Sequence, residues 1–558
     1  MSRDHWKIFG SAALLLLGAG ILCGYLLNGI SAPPAQSVLA QPVKSEISEP
    51  PAKAAANDAP APAKKVIAPA ANHGTPSRKV ALPKGAIPNE MLVRFPNAGA
   101  LQAYLAEVAR AGGRVLGMIP ALNAVRIGYD NPDQAARLRA ALPEGTSSGF
   151  NYTVAPPSNA DPSAADVGGP YKGFGDQALA WLGVPADNGS WGKGVKVALL
   201  DTALTSVPGL QLNSISQTDL VGRSSGVADD PEHGTAMASI IAGNSPDLRG
   251  VAPASQLLDF RVLDGTGIGD SFTVSQGVID AVTNGARVIS MSLGSQGDSP
   301  VLASAVEYAL SHDVAVVAAV GNDGEGMVSY PAHYSGVIAV TAVDANGQRA
   351  SFSNFGPEVM ISAPGVDVYT SLNSTQVLDM SGTSAAVPFV SGAIAALLSQ
   401  NPGMSAKTAT SLLLQYANDA GAPGPDPMYG AGILSMDRVL NRNVPGIQDI
   451  ALADIYYGST SNQQMPALYV TVQNRGTTSL FNLALDVNVG DQSKTYYINS
   501  VSAGQISSQV IPFDSSQIQG ADGVSVSSRV SMFGGTPDSK PTNDSKAYVL
   551  HSKSGTGH

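Results

Sequence analysis

The sequence predicts an α/β protein, with a parallel sheet covered by helices on both faces. A small α+β domain precedes it and an all-β sandwich follows. Three observations carry this reading. Between residues 170 and 442, short Val/Ile-rich runs alternate with helical patterns, and runs apolar at every position suit strands buried on both faces. Residues 87–157 switch between strand and helix spacing. Residues 447–550 hold about seven short alternating segments with Gly- or Asn-bearing turns, the spacing of an immunoglobulin-like sandwich.

At 558 residues the chain is too long for one core. Its net charge of -11 argues against nucleic acid or an anionic membrane surface as partner. A charged fraction of only 13% and 60 glycines suit an exported globular protein. The single cysteine, Cys23, leaves no intrachain disulfide and no Cys-based metal site, which is compatible with a bacterial periplasm.

Residues 8–30 are apolar or small and carry no charge. A bilayer needs about 20 such residues. Arg3 and Lys7 precede them, so residues 1–7 are expected in the cytoplasm and the rest beyond the membrane. A cleaved signal peptide is the competing reading. Its apolar core is usually shorter, Val38-Leu-Ala40 is a poor cleavage site, and Leu22 before Cys23 does not suit a lipoprotein. The expectation is therefore an uncleaved, single-pass inner-membrane anchor, with the folded part in the periplasm or outside the cell. Residues 31–86, rich in Pro, Ala, Lys and Ser, cannot bury enough surface to offset chain entropy and read as a linker.

The small domain, 87–157, reads as strand Glu90–Phe95, helix Ala98–Ala111, strands Arg114–Ile119 and Ala124–Gly128, helix Pro132–Leu142 and a last strand over Tyr152–Ala155. This is a split β-α-β arrangement. In the next domain, 170–442, the expected strands are Val195–Leu200, Gln256–Val262, Val288–Leu293, Val314–Val320 and Val337–Thr341, with helices such as Ser271–Asn284 and Ser304–His312. In open α/β sheets the site lies at the carboxyl ends of the strands. Asp201, Leu293 and Asn322 all lie there.

Three segments carry chemistry: Val197-Ala-Leu-Leu-Asp201-Thr, His233-Gly-Thr-Ala-Met-Ala and Ser381-Gly-Thr-Ser384-Ala-Ala-Val-Pro388. A serine hydroxyl needs an adjacent base, and the base needs an anion to fix its tautomer. His233 opens an apolar helix running to Ile241, and Ser384 opens one running to Leu398, where backbone donors favour developing negative charge. Pro388 falls in the first turns of that helix. Asn322 supplies a side-chain amide after a buried strand, suited to an oxyanion. Alone, an Asp after a strand or a Ser before a helix is a cap. The conjunction is what points to acyl transfer. No His-Glu-x-x-His motif occurs, Gly265–Gly269 lacks a Walker lysine, and Gly382-x-Ser384-x-Ala386 lacks the second glycine of an esterase elbow. No cofactor and no metal are expected.

These motifs, with Gly250-Val-Ala-Pro253, Ser292-Leu-Gly294, Ser351-Phe-Ser-Asn-Phe-Gly-Pro and Ala363-Pro-Gly365, resemble the subtilisin-like (S8) serine peptidase family over nearly all of 170–442. The resemblance implies that Asp201 orients His233, that His233 is the general base and Ser384 the nucleophile, and that Asn322 with the Ser384 amide forms the oxyanion hole. It further implies that Gly265, Thr266 and Gly267, and Ser292, Leu293 and Gly294, pair with a protein or peptide substrate in extended conformation. It sets Ser329 near the floor of the pocket for the residue before the scissile bond. Two departures stand out. Ala203 follows Asp201-Thr where the family has glycine, and the loop Asn244–Arg249 is short for the family's calcium loop, so no calcium site is carried over.

By pattern and position, 87–157 resembles the inhibitor-like propeptides of that family, which implies a self-processed zymogen whose domain acts as a partner of its own enzyme. Asn474-Arg-Gly476 and Pro541-Thr-Asn543 are similar to bacterial CARDB domains. Binding of a protein or glycan is one reading of 447–550 and a passive spacer the other. Two functions follow: an anchored serine endopeptidase acting on exported proteins, with release after processing as one fate, or a catalytically silent membrane-anchored scaffold.

Overall fold

In the computed structural model the described residues are 82–158, 171–210, 215–222, 232–245, 248–373, 376–460, 463–513, 523–533 and 537–550. The expected anchor, 8–30, and nearly all of the linker lie outside them. Among the described residues one helix, Thr383–Gln400, is long and apolar enough to cross a membrane, and it is buried in the central core.

The first elements are β1 (Glu90–Arg94), α1 (Ala98–Arg110), β2 (Arg114–Ile119), β3 (Ala124–Gly128), α2 (Pro132–Ala140) and β4 (Ser147–Gly149). Asn97 and Asn131 cap the two helices by accepting from the amides of Ala100 and Gln134. The sheet runs β2-β3-β1-β4 with antiparallel pairs throughout. Alternation gives each strand two faces. Met91, Val93, Val125 and Ile127 pack with Leu101, Tyr104 and Leu138 from the two helices. Leu92, Ile119 and Ala124 face the other way, into the core of the next domain.

One expectation is corrected here. Tyr152–Ala155 is not the last strand of this sheet; Ser147–Gly149 is. Thr153–Val154 (β5) leaves the domain and pairs antiparallel with Gly269–Asp270, and Ala155 bridges to Gly294. An apolar alternation marks a strand but not its partner, and here the free edge that accepts it belongs to another domain.

The central sheet has seven parallel strands. In chain order they are β6 (Lys196–Asp201), β7 (Ser216–Asp219), β8 (Gln256–Arg261), β10 (Val288–Met291), β11 (Ala315–Ala319), β12 (Ile338–Val343) and β13 (Val359–Pro364), with Gly269–Asp270 as β9 outside the sheet. The order is β13-β12-β11-β10-β6-β8-β7. It reverses between β6 and β10, the point at which such sheets place their sites. The polar edge strand β7, Ser-Gln-Thr-Asp, carries no apolar pattern that would mark it.

After α3 (Ala178–Trp181), helix α4 (Glu232–Ala242) packs on one face with α7 (Thr383–Gln400). Helices α5 (Ser271–Thr283) and α6 (Pro300–Ser311) cover the other. The latter begins four residues before the expected Ser304, because Ser299 caps it at Leu302 and Pro300 takes its first position. A hairpin, β14 (Val368–Asn373) and β15 (Gln376–Met380), leads into α7, and α8 (Ala406–Gln415) and α9 (Met436–Asn441) close the layer.

Strands β16 (Ile450–Thr460), β17 (Gln463–Asn474), β18 (Leu480–Val489), β19 (Gln492–Val501), β20 (Ile506–Pro512), β21 (Val524–Met532) and β22 (Ser545–Leu550) form two antiparallel sheets, β16-β17-β20 and β19-β18-β21-β22. Leu452, Leu468, Val470, Leu485 and Val530 lie in the core they share. This sandwich grips the segment after α8. The Gly421 amide donates to Asp454 Oδ2 at 2.7 Å, and the Asp419 amide to Gln473 Oε1 at 3.0 Å.

Candidate active site

Asp201 ends β6, fully buried, and its Oδ1 lies 2.7 Å from His233 Nδ1 near the start of α4. The contact needs β6 and α4 to approach closely. Gly234 permits it, since a Cβ there would sit 2.5 Å from the Thr202 carbonyl oxygen. Thr202 Oγ1 then accepts from the Gly234 amide at 2.9 Å. Ala203, where the family has glycine, does not adopt a left-handed conformation, so its methyl group meets no backbone strain of that kind. His233 Nε2 is buried and, among the described residues, without a hydrogen-bond partner.

Ser384 lies in the first turn of α7 and is 1% exposed. Pro388, four residues on, has no N–H for the Ser384 carbonyl. Ser292 takes that place, its Oγ donating to Ser384 O at 2.9 Å. Ser384 Oγ in turn points at Ser292 O, 3.3 Å away. The orphan amides at the start of α7 are also served from outside. Thr383 donates through its amide (2.9 Å) and its hydroxyl (2.8 Å) to Asn322 Oδ1. With its oxygen so occupied, the Asn322 amide nitrogen points outward. It donates to the carbonyl oxygen of Ser158 at 2.9 Å. Gly382, with φ +152°, makes room: a Cβ would meet Asn322 Nδ2 at 2.9 Å.

The segment that carries Ser158 is extended. Ala155 and Gly294 exchange two backbone hydrogen bonds, 3.1 and 2.8 Å, and the Ser271 amide donates to Tyr152 O at 2.9 Å. Asp270, the N-cap of α5, ties Asn151 (3.1 Å) and Arg126 (3.2 Å) of the first domain to the same edge.

The expected site residues thus separate. Asp201 and His233 are in contact, and Asn322 meets Thr383 beside Ser384. Of Ser292, Leu293 and Gly294, only Gly294 pairs with the extended segment; Ser292 holds Ser384, and Leu293 is in the core. Gly265, Thr266 and Gly267 do not pair with it. They form a turn tied to Asp264 Oδ1, with Gly267 against Pro156, and the pairing falls at Gly269–Asp270 instead. Ser329 lies between Gly294 and Gly321, its Oγ 2.8 Å from where a Gly321 Cβ would be. Thr383 and Asn354 lie inside the motifs quoted above, but the sequence assigns them no contact, because each bonds to the backbone or amide of another residue.

Fold and site together define a class, the serine peptidases built on a parallel α/β sheet. The chain matches the subtilase family (peptidase S8) over residues 192–432. It is 40% identical over 254 residues to the thermostable alkaline protease of Halalkalibacterium halodurans, a match covering 45% of this chain and 69% of that one. With subtilisin Savinase of Lederbergia lenta it shares 38% over 253 residues, 45% of this chain and 92% of the relative. With the minor extracellular protease Epr of Bacillus subtilis it shares 35% over 249 residues, 44% and 38% respectively. The chain belongs to the subtilase family.

Proposed function

We propose that the chain is an exported serine endopeptidase that cuts extended protein segments, its own first. Asp201, His233 and Ser384 form the triad, and Asn322 with the Ser384 amide forms the oxyanion hole. The observation that carries this is the Asn322–Ser158 hydrogen bond. A carbonyl of the chain itself rests on the amide that would receive a developing oxyanion, on a segment held in line by Gly294.

The steps follow from the geometry. Asp201 accepts from His233 Nδ1–H, which leaves the Nε2 lone pair free. Ser384 Oγ rotates from Ser292 O toward Nε2, gives up its proton there and attacks the carbonyl carbon of Ser158. The oxyanion takes hydrogen bonds from Asn322 Nδ2 and from the Ser384 amide in the first turn of α7. Collapse breaks the Ser158–Asn159 bond, and the departing amine takes the proton from His233. Water, activated by the same base, then hydrolyses the acyl-enzyme.

A cut at Ser158–Asn159 assigns 87–157 the role of a propeptide-like domain, with 170–442 catalytic and 447–550 an accessory sandwich for a protein or glycan partner. It separates the enzyme from a membrane anchor at 8–30 and frees it into the periplasm or beyond. The silent-scaffold reading has less support: each residue type that the mechanism needs is present, and the relatives above are named as proteases. Fluorophosphonate labelling with N-terminal sequencing tests the assignment. The wild type should label at Ser384 and begin at Asn159. An unlabelled Ser384 would sink it.

A further inference from the structure

Asn354 belongs to a motif, Ser351-Phe-Ser-Asn-Phe-Gly-Pro, to which the mechanism gives no task. Its side chain is 2% exposed and faces the loop that leaves β11. That loop, Val320-Gly-Asn322-Asp-Gly-Glu325, has positive φ at Gly321 (111°) and Gly324 (68°), conformations that glycine adopts readily and other residues rarely. Asn354 engages four of its backbone groups. Oδ1 accepts from the amides of Asp323 (3.0 Å) and Glu325 (3.1 Å), Nδ2 donates to Val320 O (3.2 Å), and the Asn354 amide donates to Gly321 O (3.0 Å). Nδ2 also lies 3.4 Å from Asp323 Oδ2. The fit is close: a Cβ on Gly321 would sit 2.3 Å from Asn354 Nδ2. The residue so bracketed, between Gly321 and Asp323, is Asn322.

We infer that Asn354 is a positioning residue for the oxyanion hole, fixing the backbone from which Asn322 presents its amide. Thr383 sets the rotation of that amide, and Asn354 sets where it starts. Two anchors on separate elements, α7 and the segment after β12, fix the donor before any substrate arrives. Preorganisation of this kind acts on the transition state more than on the bound substrate. The inference rests on Asn322 being the oxyanion donor.

The test is a cycle of Asn322→Ala, Asn354→Ala and the double variant, assayed on the p-nitroanilide of Ala-Pro-Pro-Ser, the peptide that ends at Ser158. Asn354→Ala should lower kcat by about 10- to 100-fold, the scale of a displaced catalytic group, with KM within about twofold. In the Asn322→Ala background the same change should lower kcat by less than about threefold, because nothing remains to be positioned. Equal losses in both backgrounds, or a loss confined to KM, would overturn the inference and leave the role of Asn322 intact. An Asn322→Ala variant with undiminished kcat would remove the reading beneath it and the inference too. If Asn354→Ala does not fold, Asn354→Ser, which keeps one acceptor, takes its place under the same criteria.

Discussion

Asn322 has one direction left for its nitrogen, because Thr383 occupies its oxygen twice. This saturation makes a flexible amide into a fixed donor. Asn322→Ala should therefore lower kcat by about 10²–10³ with little change in KM, the range established for loss of one oxyanion-hole donor in subtilisin itself. Steady-state kinetics on an extended peptide would show it, and a change in KM alone would count against the oxyanion role. Gly382 is the second sensitive position. A methyl group there meets Asn322 Nδ2 at 2.9 Å on a backbone at φ +152°. Gly382→Ala should reduce turnover with the fold retained, which circular dichroism beside the activity assay would separate.

The helix that carries Ser384 joins both sides of the cleft. Its proline frees a carbonyl, Ser292 after β10 fills the gap, and Asn322 after β11 caps its first amide. On the other side, β5 is held by its pairing with Gly269–Asp270 and by Val154, which is sunk in the core. Ala155→Pro removes the amide that donates to Gly294 O and should slow the self-cut, measured as surviving full-length chain on an immunoblot; cutting at the wild-type rate would mean that this pairing is not needed. Elements of this kind show how far the sequence could be read. Val288–Met291 and Ala315–Ala319 are legible because burial on both faces leaves an all-apolar run. The contact of Asp201 with His233 is legible because the chemistry expected of the pair restricts residue type. The polar β7 has no such pattern. The destination of Thr153–Val154 was hidden because alternation does not name a partner, and Asn354 because its partners are backbone atoms of a loop.

Across the whole molecule, residues 82–158, the catalytic layers and the sandwich are joined by buried surfaces. Ser384→Ala should accumulate as uncut precursor beside a processed wild type; identical full-length, active bands would instead make the first domain a permanent part. Under the sandwich, burial pushes Asp419 up to about 7 and Asp426 up to about 6. An unfolded Asp titrates near about 4. Between those values the folded chain keeps protons that the unfolded chain has shed. The contribution of these two groups to stability is therefore fullest at low pH and is lost as pH rises from about 4 to about 7. Thermal unfolding of Ser384→Ala, which cannot digest itself, should lose more Tm between pH 5 and pH 8 than the same chain carrying Asp419→Asn. Parallel losses would exclude Asp419 as a source. The two prolines before Ser158 have a different consequence. Pro156 and Pro157 have no amide to offer the cleft, so beyond Ala155 the severed end clings by little more than its Ser158 oxygen. The grip resides upstream, where Leu92, Ile119 and Ala124 are sunk against α5 and α6 and Arg126 bridges Glu90 and Asp270. On the proposed cut after Ser158, the small domain would therefore stay in place over the cleft. Under that proposal the clock would be the unfolding of the small domain, and salt or proteolysis directed there would set its pace.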